Sequence, residues 1–101
     1  MNNLHNIDLL FIVLPSSIQS AVKRLLSILK DNEKARIKNA KNEELFSIYQ
    51  QLGPEIEMAM LAFNESDSTL YDSLSGKAVL IVDAPNMIID QLRYQLQFRK
   101  I

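Results

Sequence analysis

Two apolar stripes at three-to-four spacing constrain the fold most: Ile18, Val22, Leu25 and Leu29 near the start, and Ile88, Leu92 and Leu96 near the end. Residues spaced this way lie on one side of a 3.6-residue helix, so each segment gains by laying that side on a shared core. Pro15 ends whatever precedes the first stripe. Ser16 can cap the helix that follows, running from Ser17 to Lys30, with Gln19 reaching back to the Ser16 amide. In the second case Asp83 is placed to cap and Pro85 to occupy the first turn, where a missing amide costs nothing, and the helix runs to about Arg99. A chain of 101 residues without cysteine has room for one modest core, residues 1–101 forming a single domain held by packing alone.

Between these helices the pattern is weaker. Asp31-Asn32 reads as a break, and Glu33 to Ala40 offers only Ala35, Ile37 and Ala40, enough for a short surface helix. Asn42 can cap a longer one, with Glu43 and Glu44 in its positive first turn and a stripe from Leu45 to Phe63. Pro54 removes an amide and collides with the preceding turn, so a break is expected near Gly53. Asn64 to Ser68 reads as loop, Thr69 to Leu74 as one more helical turn, and Ser75-Gly76 as punctuation. Leu4, Ile7, Phe11 and Leu14 keep helical spacing, although Leu9 to Leu14 is also a continuous strand-compatible run. The expected fold is therefore mainly α, a compact bundle of four to six helices. The alternative is an α+β fold with a minimal two-stranded ribbon from 9–14 and 78–82.

Leu14-Pro15-Ser16-Ser17-Ile18 with Ala21-Val22, then Leu45 and Leu52-Gly53, then Asp83-Ala84-Pro85 with Ile88-Ile89 and Leu92, resembles a family of small helical bacterial domains of unknown function. Family members carry an Ile-Arg and a Gly-Leu-Trp element after the Leu-Gly pair, whereas Glu55 to Phe63 here contains no tryptophan. The resemblance implies a helical, bacterial protein and transfers no functional residue.

Reactive groups are scarce. His5 is the sole histidine, with no cysteine or second histidine to complete a metal sphere, and no serine sits in a Gly-x-Ser-x-Gly turn. Two glycines, Gly53 and Gly76, cannot build a phosphate-cradling loop. The pairs Glu43/Glu44 and Glu55/Glu57 are too close in sequence to face one another on a helix. Glu65-Ser66-Asp67-Ser68 lacks the glycine and closing glutamate of an EF-hand. No catalytic residue, metal or cofactor is expected. The longest apolar run is six residues, against roughly twenty for a membrane-spanning helix. With no basic n-region at the start of the sequence, a cytoplasmic location is expected.

Charge is segregated although the net charge is only −1. Lys23 to Lys41 carries seven basic residues against two acids, net +5, and Asn42 to Asp90 nine acids against one base, net −8. The acidic part also holds apolar residues off its main stripe, and a second apolar face calls for a second partner. Glu43, Glu44, Phe46, Glu55, Glu57, Met58, Leu61, Glu65 and Asp67 are therefore the candidate contacts of a non-catalytic protein-binding module of immunity, antitoxin or adaptor type. The partner is another protein or a second copy of the chain. The alternative is a nucleic-acid-associated regulator using Lys34, Arg36 and Lys38. Against it, no aromatic between Val22 and Lys41 could stack bases. A structural homodimer is a third reading.

Overall fold

The computed structural model describes residues 11 and 13–98, ordered as α1 (Ile18–Ile28), α2 (Asp31–Asn39), α3 (Glu43–Leu61), β1 (Thr69–Asp72), β2 (Lys77–Leu80), a 3₁₀ turn (Ile81–Asp83) and α4 (Ala84–Phe98). The fold is mainly α, with four helices and one small antiparallel ribbon among the described residues. α4 is the central element and packs against α1, α2 and α3. Its Ile88, Ile89, Leu92 and Leu96 are buried, as the stripe requires, and meet Ile18, Val22 and Leu25 of α1 and Ile56 and Met60 of α3 in one core.

Several local expectations are corrected. Ser17, not Ser16, caps α1, its Oγ accepting from the Ser20 amide at 3.0 Å. The Ser16 carbonyl instead accepts from the Tyr71 amide at 2.9 Å, tying β1 to the chain ahead of α1. α2 begins at Asp31 rather than Glu33. Asp31 and Asn32 lie inside its first turn, where acids are favourable, and the Glu33 carboxylate accepts from the Lys30 amide at 2.9 Å. Asn42 precedes α3 with φ 52° and makes no side-chain cap. No helix is formed by Phe11, Val13 or Leu14; the rest of 4–14 lies outside the described residues.

The expected break at Gly53-Pro54 is absent, for α3 runs unbroken through both. Two features make this tolerable. The Gln50 carbonyl that loses its amide partner belongs to an exposed turn, where water can replace it. A residue before proline resists helix because its Cβ collides with the ring, and Gly53 has no Cβ. Gly53 also faces α4, where a Cβ would stand 3.4 Å from Asn86 Oδ1 and 3.9 Å from Ile89 Cδ1.

Thr69 to Leu74 is strand and turn, not helix. β1 pairs Thr69 with Leu80 and Asp72 with Lys77, so the ribbon joins 69–72 to 77–80, whereas 78–82 was expected to pair with 9–14. Leu70 anchors the ribbon in the core and Gly76, at φ 74°, closes its turn by donating its N–H to the Asp72 carbonyl at 2.8 Å. Asp72, only 3% exposed, ties the ribbon to two helices: its Oδ1 accepts from Gln19 Nε2 of α1 at 3.1 Å, Gln91 Nε2 of α4 at 3.3 Å and the Leu74 amide at 3.2 Å. Gln19 thus serves this network rather than the Ser16 amide, and its Oε1 accepts from the Ser73 amide at 3.1 Å.

Chiefly the Gln19 donor, then the Ser75 hydroxyl, the Leu74 amide and Gln91, hold the Asp72 carboxyl down at about 2 against burial, from an ordinary 3.8. A carboxylate with a lowered folded pKa contributes stability that is complete above the ordinary value and lost as pH falls toward 2. The stability gap between the wild type and Asp72→Asn is therefore expected to narrow as pH falls from about 4 to about 2. Thermal melts of both proteins across that range check this; parallel curves would contradict it.

Candidate functional site

The exposed side of α3 carries most of the residues that the charge and apolar pattern singled out. At 100° per residue, Glu43, Phe46, Gln50, Glu57 and Leu61 fall on one stripe, with Met58 on its margin. Phe46 is 61% and Met58 71% exposed, large apolar side chains left in water among carboxylates. Twelve residues separate them, about 18 Å along the axis. Beyond the helix end, Leu61, Phe63 and Glu65 line a concavity of about 450 Å³ with Ala62, Asn64 and Ser68. Asn64 braces this corner by donating to the Met60 carbonyl at 2.9 Å and the Phe11 carbonyl at 3.3 Å. Asp67 is exposed in the loop that follows.

The nine candidate residues do not share one face. Glu44 and Glu55 lie on the flank of α3 that looks toward α2. Glu44 pairs with Arg36 at 3.6 Å, and Glu55 lines an α2/α3 groove of about 300 Å³ with a floor of Leu29, Ile37, Ile48 and Leu52. Arg36 lines the same groove and reaches Gln51 at 3.5 Å. The basic trio is divided for the same reason: Lys34 and Lys38 are one turn apart on α2, whereas Arg36 points to α3.

A second cleft, about 340 Å³, separates α3 from the start of α4 and is lined by Tyr49, Gly53, Pro54, Glu57, Val82, Asp83, Pro85 and Asn86. Tyr49 donates its hydroxyl proton to Asp90 of α4. Burial first, and then the bond to Asp90 and its negative charge, push the phenol up to about 12, against a smaller opposing pull from Arg93. Tyr49 therefore keeps its proton at neutral pH. Among the described residues no group of three or more His, Asp or Glu side chains converges to hold a metal ion, and no helix is long and apolar enough to cross a membrane. His5 lies outside the described residues.

Off the apolar stripe of α4, Arg93 and Gln97 are expected to point outward; instead both reach the end of α2, Arg93 half-buried and Gln97 exposed. Arg93 Nη2 donates to the Ala40 carbonyl at 2.8 Å and Gln97 Nε2 to the Lys38 carbonyl at 3.0 Å. Their four-residue spacing on one side of α4 was the available signal. Comparison of the chain with protein-family models, curated proteins and solved structures finds no match.

Proposed function

We propose that the protein is a small binding module that works by contact rather than catalysis, presenting the outer stripe of α3 to a protein partner. One observation carries this reading: Phe46 and Met58 stand exposed on the outer half of α3 with Glu43 and Glu57 between them around the axis. Apolar anchors bury area and give affinity, while surrounding carboxylates attract a basic surface and set the encounter rate. The carboxylates Glu44 and Glu55 on the other flank are a secondary rim. This reading is preferred over a nucleic-acid regulator built on Lys34, Arg36 and Lys38, because Arg36 is engaged with Glu44 and is set apart from the two lysines.

The test is affinity capture by the wild-type chain and by Glu43→Lys/Glu57→Lys, from cells of the native host, at low and high salt. The expected outcome is a partner retained by the wild type, weakened by salt and lost in the charge-reversed variant. Sedimentation of the purified chain across concentration shows whether that partner is a second copy. Equal capture by both chains, or none by either with the chain sedimenting as a monomer throughout, would overturn the proposal.

A further inference from the structure

The end of α2 and the last turns of α4 form a concavity of about 390 Å³ lined by Lys38, Asn39, Ala40, Lys41, Arg93 and Gln97. Three of the six lining residues are cations and none is an acid. Of the carboxylates on the neighbouring turns, Asp90 is bonded to Tyr49 and Glu44 is paired with Arg36. A helix C-terminus ordinarily repels anions through its free carbonyls. Here the Lys38 carbonyl is covered by Gln97 and the Ala40 carbonyl by Arg93, so two of the acceptors at this end are already satisfied. Arg93 brings a third cation from a different helix: its Nη2 is held on the Ala40 carbonyl and its Nε is buried without a hydrogen-bond partner among the described residues, which leaves Nη1 as the donor it can offer the concavity.

We propose that this corner is an oxoanion site for a phosphate-type group. Lys38 and Lys41 supply flexible ammonium donors. Arg93 supplies a planar guanidinium matched to paired oxygens, of which Ala40 engages only Nη2. The site is independent of the α3 stripe, and it differs from a basic face of α2 because its third cation comes from α4.

Isotope-labelled full-length protein titrated with inorganic phosphate, at ionic strength held constant with chloride, provides the test. The arginine Nε–H resonance that disappears in Arg93→Lys is expected to shift with saturation. Lys38→Gln and Lys41→Gln, both changes of exposed side chains, should each weaken the affinity about three- to fivefold. No saturable shift, an equal shift with chloride alone, or unchanged affinity in both lysine variants would overturn the proposal. A short single-stranded oligonucleotide separates the sources of the group. Displacement of phosphate at lower phosphate concentration assigns the site to a nucleic-acid backbone, and no such advantage assigns it to free phosphate or a phosphate monoester.

Discussion

Replacing Leu92 with alanine is expected to destabilise the protein by about 2–5 kcal/mol, the cost of removing buried methyl groups and leaving part of their volume empty. Leu92 is fully buried on α4, the helix that α1, α2 and α3 all contact, so the surroundings have little freedom to collapse into the gap. For a domain of this size that is a fall in melting temperature of at least about 8 °C. Since total stabilities are commonly about 5–15 kcal/mol, the upper end of the range would leave a partly unfolded population at room temperature. Tyr94→Ala, two residues away but 63% exposed, is the control; it loses a ring contact with Phe98, centroids 4.7 Å apart, and should cost under about 1 kcal/mol. Urea unfolding of the two variants beside the wild type decides the matter. Comparable losses would mean that α4 is not the centre of the core.

Pro54→Ala is expected to move stability in the opposite direction, by about 1–3 kcal/mol, because a proline within a helix forfeits one hydrogen bond and crowds the carbonyl a turn earlier. Its ring is exposed, so little packing is lost with it. A chain that keeps this residue in the middle of its longest helix accepts a local cost, and such sites collect where a surface is used. Pro54 lines the α3/α4 cleft beside Glu57, next to the stripe assigned to partner contact. Thermal and urea unfolding of Pro54→Ala measure the change. A loss of stability would show instead that the ring is a packing element of that cleft.

The parts of the fold that were legible in the sequence are those where one periodic signal stands alone. The stripes of α1 and α4 declare their buried sides, and Ile88, Ile89, Leu92 and Leu96 are all inside. Where two local rules compete, the sequence is ambiguous. Gly53-Pro54 reads as a stop, yet the missing Cβ of Gly53 relieves the very clash that would make it one. Thr69 to Leu74 is too short to declare a period. Its strand form is fixed by contacts distant in sequence, namely the Ser16 carbonyl on Tyr71 and Gln19 and Gln91 on Asp72. The same division holds for the candidate surface. Helical spacing places Glu43, Phe46, Glu57 and Leu61 together, but that Glu44 and Glu55 face Arg36 depends on where α2 packs. Arg93 reads from spacing alone as an outward residue, because its contact arises only when α4 meets the end of α2.

The claim that the exposed stripe of α3, and not exposed apolar surface in general, is what the protein uses is tested most directly by site-specific photocrosslinking in cells of the native host. A photoreactive amino acid placed at Phe46 or Met58 is compared with the same group at Tyr94, whose exposure matches that of Phe46. A discrete crosslinked product from positions 46 and 58, and none from 94, is the predicted result. Products of equal yield from all three positions, or from 94 alone, would contradict the account.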